Sequence, residues 1–295
     1  MPPKSPARAR AIGAMCGASF LFSLMGVATK LAAQPGSGSS GLPAPEIALV
    51  RYAAGVAFLL VISRIASAPL LGSDRPGLLW RGIYGGIAST AFFISLHLTS
   101  LTHATLLNST NVVFASLFAI TALGERLSLI SSAAILAALA GVGLVTQPVV
   151  GHIHVGDAIA LFSGVLAGLA IVQVRRLRRT ETSFSVFFYF NLVGLPVALA
   201  ALLFSHAAII VPTLRQAPIL MAVAVTSVGG QLLMTYGYKE LPAAQGSLLI
   251  LTSVVLSAAL SHLVFHDLLT IHTLLGGLLI LVSAAALCLP AKARA

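Results

Sequence analysis

The sequence predicts an all-α polytopic membrane protein, with ten transmembrane helices arranged as two inverted five-helix repeats. Three observations predict this fold class. The chain is strongly apolar, its basic residues concentrate in alternate gaps between apolar stretches, and its second half repeats the pattern of its first half.

The composition is that of a chain that lies in a lipid bilayer. Of its residues 58% are hydrophobic and only 8% are charged, whereas soluble domains carry about 25% charged residues. The chain contains ten apolar stretches, each close to the ~20 residues that a helix needs to cross the hydrocarbon core. They are 11–33, 45–66, 77–98, 102–122, 128–147, 156–174, 184–204, 214–236, 242–264 and 270–290, numbered below as spans 1 to 10. The apolar run of span 1 exceeds the roughly 7–15 residues of a secretory signal, so we expect a true first span.

The basic residues predict how the chain is oriented. If every stretch crosses the membrane, 14 of the 17 Lys and Arg fall on one face. They are Lys4, Arg8, Arg10, Arg64, Arg75, Arg81, Arg126, Arg175, Arg176, Arg178, Arg179, Lys239, Lys292 and Arg294. Because cytoplasmic loops carry the excess of Lys and Arg, we expect a multi-pass protein of the bacterial inner membrane with both termini in the cytoplasm. The net charge of +10 then reflects topology, and we expect no nucleic-acid partner. On this topology Trp80, Tyr236 and Tyr238 belong to an aromatic belt at the inner interface.

The second half of the chain repeats the first at an offset of 142 residues. Segment 101–127 aligns with segment 243–269, and this pairs Thr110 with Thr252, Asn111 with Ser253 and Glu125 with Asp267.

Each repeat contains five spans, and an odd number inverts the second repeat in the membrane. We expect a cytoplasmic N-terminus at 1–10, repeat 1 at 11–147, repeat 2 at 156–290 and a cytoplasmic tail at 291–295. Inverted repeats are typical of secondary transporters, which bind substrate between the halves near the membrane midplane.

Three segments carry a family resemblance: ATLLNSTNVVFASLFAITALGERLS at 104–128, Gly-Val-Gly at 141–143, and the second copy at 246–270. With them, the whole chain resembles the drug/metabolite transporter superfamily, EamA type. The resemblance implies two EamA-like units that transport amino acids or related metabolites. The family often has proline where Asn111 and Ser253 stand, so spans 4 and 9 are expected to be straighter here.

The first two spans resemble one branch of that superfamily, through Phe22–Lys30, Glu46 and Arg51. That branch includes uptake carriers for vitamin- or nucleoside-like metabolites. The direction of transport therefore stays open at this point.

Polar side chains inside the spans indicate a candidate substrate cavity, because such groups cost free energy in a membrane unless they are paired. Spans 1, 3, 4, 6, 8 and 9 carry these groups near their centres and are predicted to surround the cavity, whereas spans 5 and 10 lie at the periphery. The candidate substrate-binding residues are Ser23, Lys30, Arg51, Ser89, Asn108, Asn111, Asn191, Thr252 and Ser253. For the hydroxyls, the alternative is a hydrogen bond to a carbonyl in the preceding helical turn.

Lys30 and Arg51 are two cations that the topology does not explain. They can hold a substrate carboxylate or phosphate, reach the outer interface with their charged ends, or pair with Glu46. A Lys30–Glu46 contact between helices is geometrically easier than a Glu46–Arg51 contact within one helix.

The sequence predicts neither an enzyme nor a cofactor, because no Asp or Glu lies deep in any span. His262, His266 and Asp267 lie close together and leave a metal site as an alternative, although no metal is expected. The partners expected are a small-molecule substrate and membrane lipid, with a monomer or a homodimer as the assembly. The function predicted is secondary transport of a small organic solute by alternating access, with metabolite uptake or metal or drug export as alternatives.

Overall fold

A computed structural model describes residues 6–34, 41–67, 69–99, 101–146, 154–204, 212–214, 216–266 and 268–288. Within these ranges the chain forms eleven α-helices and no strand. They are α1 Pro6–Ala33, α2 Ala44–Ala66, α3 Arg75–Leu98, α4 Leu101–Ser109, α5 Asn111–Leu123, α6 Leu129–Thr146, α7 Val155–Leu177, α8 Ser183–Phe204, α9 Ala217–Gly237, α10 Ala243–Phe265 and α11 Ile271–Cys288.

The helices match the ten predicted spans, and the predicted fold class is confirmed. Span 4 corresponds to α4 and α5 together, and every other span corresponds to one helix. In the described residues, eight segments are long and apolar enough to cross a membrane, with 104–123 counted as one of them. The helix α11 adds a shorter apolar segment. Residues 6–10, expected in the N-terminal segment, already belong to α1.

Polar caps and glycine set several helix ends. At the start of α3, Asp74 Oδ1 accepts a hydrogen bond from the Gly77 N–H at 2.9 Å. At the start of α7, Asp157 Oδ2 accepts one from the His154 N–H at 2.9 Å. These carboxylates satisfy amide groups that have no partner within the helix. The helix α5 ends at Gly124, whose φ of 65° is easily reached only without a side chain.

The two repeats interleave instead of forming two separate bundles. Helix α1 of the first repeat packs on α9 and α10 of the second, and α7 of the second packs on α3, α4 and α5 of the first. An inverted two-fold relation exchanges these two sets of contacts. The same relation maps the α2–α8 pair and the α6–α11 pair onto themselves. The helix packing therefore has the symmetry that two inverted repeats require.

Small residues let helices of the two repeats approach closely. On α3, a side chain at Gly82 would meet the carbonyl oxygen of Tyr189, and one at Gly86 would meet Gly194 on α8. On α7, a side chain at Gly168 would meet the backbone of α5. Such small-residue contacts are a common means of packing helices in membranes.

The fourth span is interrupted at Thr110, and this interruption was not predicted. The Thr110 N–H bonds to the Leu107 carbonyl at 3.2 Å, and its hydroxyl donates to the same oxygen at 2.5 Å. A bond to the third preceding residue tightens the turn and ends regular α-helix. At the equivalent position the Thr252 hydroxyl donates to the Leu249 carbonyl at 2.7 Å, but α10 stays continuous, as expected for span 9.

Candidate functional site

A cavity of about 310 Å³ lies between the two repeats. Its walls come from α1, α3, α4 and α5 of the first repeat and from α7, α8, α9 and α10 of the second. The six spans predicted to surround a cavity all contribute, and α8 adds Phe190 to them. In the described part of the chain, α2, α6 and α11 contribute no lining residue.

Four of the nine candidate residues line this cavity. Ser89 comes from α3, Asn108 and Asn111 flank the break at Thr110, and Ser253 comes from α10. The interruption therefore lies at the cavity wall, between two side-chain amides.

A chain of hydrogen bonds crosses the wall between the repeats. The Asn108 Nδ2 donates to the Ser163 hydroxyl at 2.8 Å. The Ser163 hydroxyl in turn donates to the Ala88 carbonyl at 2.8 Å. Asn108 is therefore held on α4 by α7 and, through it, by α3.

Arg81 was counted above with the cations of one membrane face, and the structure places it in the cavity wall. It lies in the second turn of α3, is 4% exposed and lines the cavity. Its Cζ lies 4.6 Å from the centre of the Phe190 ring. Its Nε and Nη1 find no hydrogen-bond partner among the described residues. Two buried donors thus remain unused beside the cavity.

Tyr238 is the second cavity residue that was predicted elsewhere. It was expected in the interfacial belt, but it is fully buried, lines the cavity and shares a hydrogen bond with the Ser247 hydroxyl at 3.1 Å. Burial raises the pKa of Tyr238 above its usual value, which is already high enough to keep the hydroxyl neutral at physiological pH. The other two belt residues, Trp80 and Tyr236, are exposed on the surface.

Three predicted residues lie outside the lining, and backbone carbonyls satisfy their polar groups. The Ser23 hydroxyl contacts the Ser19 carbonyl at 2.8 Å and the Ser253 carbonyl at 3.0 Å, which joins α1 to α10. Thr252 bonds within its own helix, as described above. Asn191 is 1% exposed and donates to the Phe187 carbonyl at 2.7 Å. Each of these side chains therefore bonds to a carbonyl in the preceding turn of its own helix, which was the alternative to lining the cavity.

Lys30 and Arg51 also lie outside the lining. The Lys30 Nζ lies 4.0 Å from the centre of the Phe265 ring on α10. Arg51 is only 5% exposed, so its guanidinium does not reach the surface.

Arg51 is surrounded by aromatic rings behind the cavity wall. Its Cζ lies 4.6 Å from the Tyr52 ring centre, 5.6 Å from that of Phe190 and 5.7 Å from that of Phe93. Its Nε and Nη2 have no hydrogen-bond partner within the described residues. Phe190 therefore contacts two buried guanidinium groups, those of Arg51 and Arg81.

The end of the molecule that carries Arg126, Arg175, Arg176, Arg179 and Lys239, called the basic end below, is closed by ionic contacts between the repeats. The Arg175 Nε forms an ion pair with the Glu125 Oε1 at 3.1 Å. The other carboxylate oxygen of Glu125 accepts the Ala243 N–H at 3.0 Å, at the start of α10. The Arg175 Nη1 donates to the carbonyls of Tyr238 at 2.9 Å and Lys239 at 2.6 Å. Glu125 of repeat 1 thereby joins α7 and α10 of repeat 2.

A second set of contacts joins the repeats at the same end. The Glu181 Oε1 accepts the N–H groups of Ser73 at 2.8 Å and Asp74 at 2.7 Å. Arg178 donates to the carbonyls of Glu181 and Thr235. Burial lowers the pKa of Arg178. The two carbonyl oxygens accept hydrogen bonds from its guanidinium N–H groups. The segment after α7 is thus bound to the segment before α3.

Helix α10 is most tightly packed at the basic end. Its buried residues all fall between Ala243 and Leu251, and none lies between Thr252 and Phe265. Packed helices and the Glu125–Arg175 ion pair therefore hold the two repeats together at the basic end.

The alternative metal site includes Asp267, so the described residues do not test it; among them, no three His, Cys, Asp or Glu side chains converge. His262 lies on α10 and His266 follows it, while Asp267 lies outside the described residues.

Comparison with known proteins identifies the family. The EamA-like transporter family matches twice, over residues 9–147 and 154–289. The chain belongs to the EamA-like transporter family. The two matches correspond to the two repeats, so the resemblance drawn from the sequence is confirmed.

Relatives of this EamA-like protein span most of its length. The Pseudopaline exporter CntI of Pseudomonas aeruginosa (strain UCBPP-PA14) is 30% identical over 272 residues, which cover 92% of this chain and 93% of the relative. An Uncharacterized transporter of Helicobacter pylori (strain J99) is 26% identical and covers 72% and 74%. Solute carrier family 35 member G1 of Mus musculus is 28% identical and covers 62% and 52%. These names are those of membrane transporters and not of enzymes.

A solved crystal structure supports the fold. It aligns with a TM-score of 0.81 at 20% identity and covers 97% of this chain and 99% of the other. Identity at this level bears on the fold alone.

Proposed function

We propose that this protein is a secondary transporter that moves a small organic solute, an amino acid or a related metabolite, across the bacterial inner membrane by alternating access. The observation that carries the proposal is the cavity of mixed polar and apolar lining between two interleaved, inverted repeats, which are bridged at the basic end by contacts that run from one repeat to the other. Inverted repeats allow the two halves to exchange conformations, which opens a central site to one side and then to the other.

The cavity favours a solute that is both polar and apolar. Asn108, Asn111 and Gln231 offer amides, while Phe22 and Phe92 offer apolar surface. An amino-acid-like molecule presents both kinds of surface. This supports an organic solute over a bare metal ion.

We further propose that the basic end faces the cytoplasm and that the protein exports its solute. The orientation follows from the positive-inside rule. The direction is supported by the name of the Pseudomonas aeruginosa relative, an exporter that this chain matches over 92% of its length. The resemblance of the first two spans to uptake carriers supports the opposite direction, so the experiment must measure both.

The test is a panel of solutes with the purified protein in liposomes, with and without a pH gradient. Amino acids, vitamin- and nucleoside-like metabolites and divalent metal ions are each loaded inside or supplied outside, and empty liposomes serve as the control. We expect protein-dependent flux for at least one organic solute. Flux confined to metal ions, or no flux above that of empty liposomes, would contradict the proposal.

A further inference from the structure

An arginine with two nitrogens that lack a hydrogen-bond partner among the described residues forms part of the cavity wall near the basic end. Arg81 is 4% exposed, and its Nε and Nη1 have no hydrogen-bond partner in the described ranges. The guanidinium lies beside Phe190 and over Gly85, one helical turn further along α3. A side-chain carbon at Gly85 would collide with the Arg81 Nη1. The absence of a side chain at Gly85 thus gives the guanidinium its place at the cavity.

Among the described residues, no Asp or Glu lines the cavity to balance this charge. Asp74 and Asp157 cap helices, while Glu125 and Glu181 bind loop amides at the basic end. These four carboxylates are therefore used elsewhere.

A second cation adds to the positive potential. The Arg51 Cζ lies 5.6 Å from the same Phe190 ring that Arg81 contacts at 4.6 Å. Charges in a medium of low polarity interact much more strongly than they do in water. This part of the cavity therefore attracts an anion.

We propose that Arg81 binds the carboxylate of the organic solute that this protein carries. The inference rests on the proposed transport function and names the class of its substrate: small organic carboxylates, amino acids included. A guanidinium offers several N–H donors in a plane, which suits a carboxylate better than a spherical anion. The apolar rings of Phe22 and Phe92 on the cavity wall can contact the body of an organic molecule, which an inorganic anion lacks.

Binding of matched pairs of probes to the purified protein tests this inference. The pairs are L-leucine with L-leucinamide and L-phenylalanine with L-phenylalaninamide, which differ only in the carboxyl group. Chloride and inorganic phosphate are measured beside them. We expect a carboxylate to bind at least about tenfold more tightly than its amide, as the loss of a charge-assisted hydrogen bond would produce. Equal binding within both pairs, or equally tight binding of chloride or phosphate, overturns the inference.

Three variants test whether Arg81 causes the preference for a carboxylate over its amide. Arg81→Gln should remove the preference for carboxylate over amide, whereas Arg64→Gln, which removes an exposed charge at the end of α2, should keep it. Gly85→Ala retains the charge but displaces the guanidinium, so it should also remove the preference. If Arg81→Gln does not fold, Gly85→Ala provides the test of the role of Arg81. A preference that persists in a folded Arg81→Gln or Gly85→Ala protein overturns the inference.

Flux measured on the same preparations separates this inference from the proposed function. Transport of both members of a pair without preference would leave the transporter proposal standing and remove the carboxylate site. A carboxylate preference in binding without flux of any solute would leave the carboxylate site standing and remove the transporter proposal.

Discussion

At the level of single residues, the structure and the sequence-based expectation disagree about which polar side chains face the cavity. Asn108 and Asn111 were predicted to line it, and they do. Ser23 and Asn191 were predicted with them, but nearby carbonyls satisfy them outside the cavity. An amide three residues from another shares its helix face, which the sequence reveals. The neighbour against which a single serine packs depends on tertiary contacts, and the sequence does not reveal these.

The position of Arg81 in the cavity wall could not be predicted from the sequence either. Counting cations by loop treats an arginine near a helix end as a loop residue, and it cannot tell which side of the helix the residue occupies. The one local signal is Gly85, which leaves room for a side chain one turn away. A buried guanidinium without a partner is costly, so such a residue near a span's end is a candidate binding group.

The asparagines at the break in span 4 give a residue-scale prediction. Asn108→Ala and Asn111→Ala should each lower the transport rate by roughly tenfold, since a lost polar contact to bound solute is worth about 1–3 kcal/mol. Flux into liposomes measures this, with the amount of folded protein checked by size-exclusion chromatography. Asn191→Ala is the matched control, because that amide lies outside the cavity and should affect thermal stability more than flux. Wild-type flux in both cavity variants would exclude span 4 from the route.

At the level of elements, the apolar stretches predicted the helices well because length and hydropathy alone decide what crosses a bilayer. Span 8, for example, was placed at 214–236, and α9 covers Ala217–Gly237. The interruption at Thr110 was not predicted, because neither proline nor glycine marks it. It arises from a hydroxyl and an amide that bond to the same Leu107 carbonyl, and many threonines can do this without ending a helix.

The contacts of Glu125 at the basic end give an element-scale prediction. Glu125→Gln removes the ion pair with Arg175 while retaining an oxygen for the Ala243 N–H. Both side chains are 17% exposed, so the pair is worth more than a surface pair. We expect roughly a tenfold shift toward a state open at the basic end, which corresponds to about 1.4 kcal/mol.

The distance between spin labels placed on α5 and α10 at the basic end measures this shift. Arg179→Gln is the control, since it removes an exposed charge at the same end. An unchanged distance distribution in Glu125→Gln would show that this ion pair does not hold the end closed.

At the scale of the whole molecule, function depends on the way the two repeats interleave. Each half contributes walls to the cavity and side chains to the closure at the basic end, so neither half contains a complete site. The sequence predicted the repeats from the match at an offset of 142 residues, and their inversion from the odd number of spans in each. It could not predict that α3 packs on α8 as well as on α7, because the choice of neighbours depends on small residues such as Gly82 and Gly86 meeting the backbone of α8.

The central claim is that the cavity between the repeats opens in turn to each side of the membrane. Its most direct test is the reactivity of Ser89→Cys, a cavity position on α3, in a protein whose own two cysteines, Cys16 and Cys288, are replaced by serine. A membrane-impermeant maleimide is applied to the outside of vesicles of each orientation. Alternating access predicts labelling from both sides and a change in the ratio of the two rates when transported solute is present. Labelling from one side only, under all conditions, would contradict it.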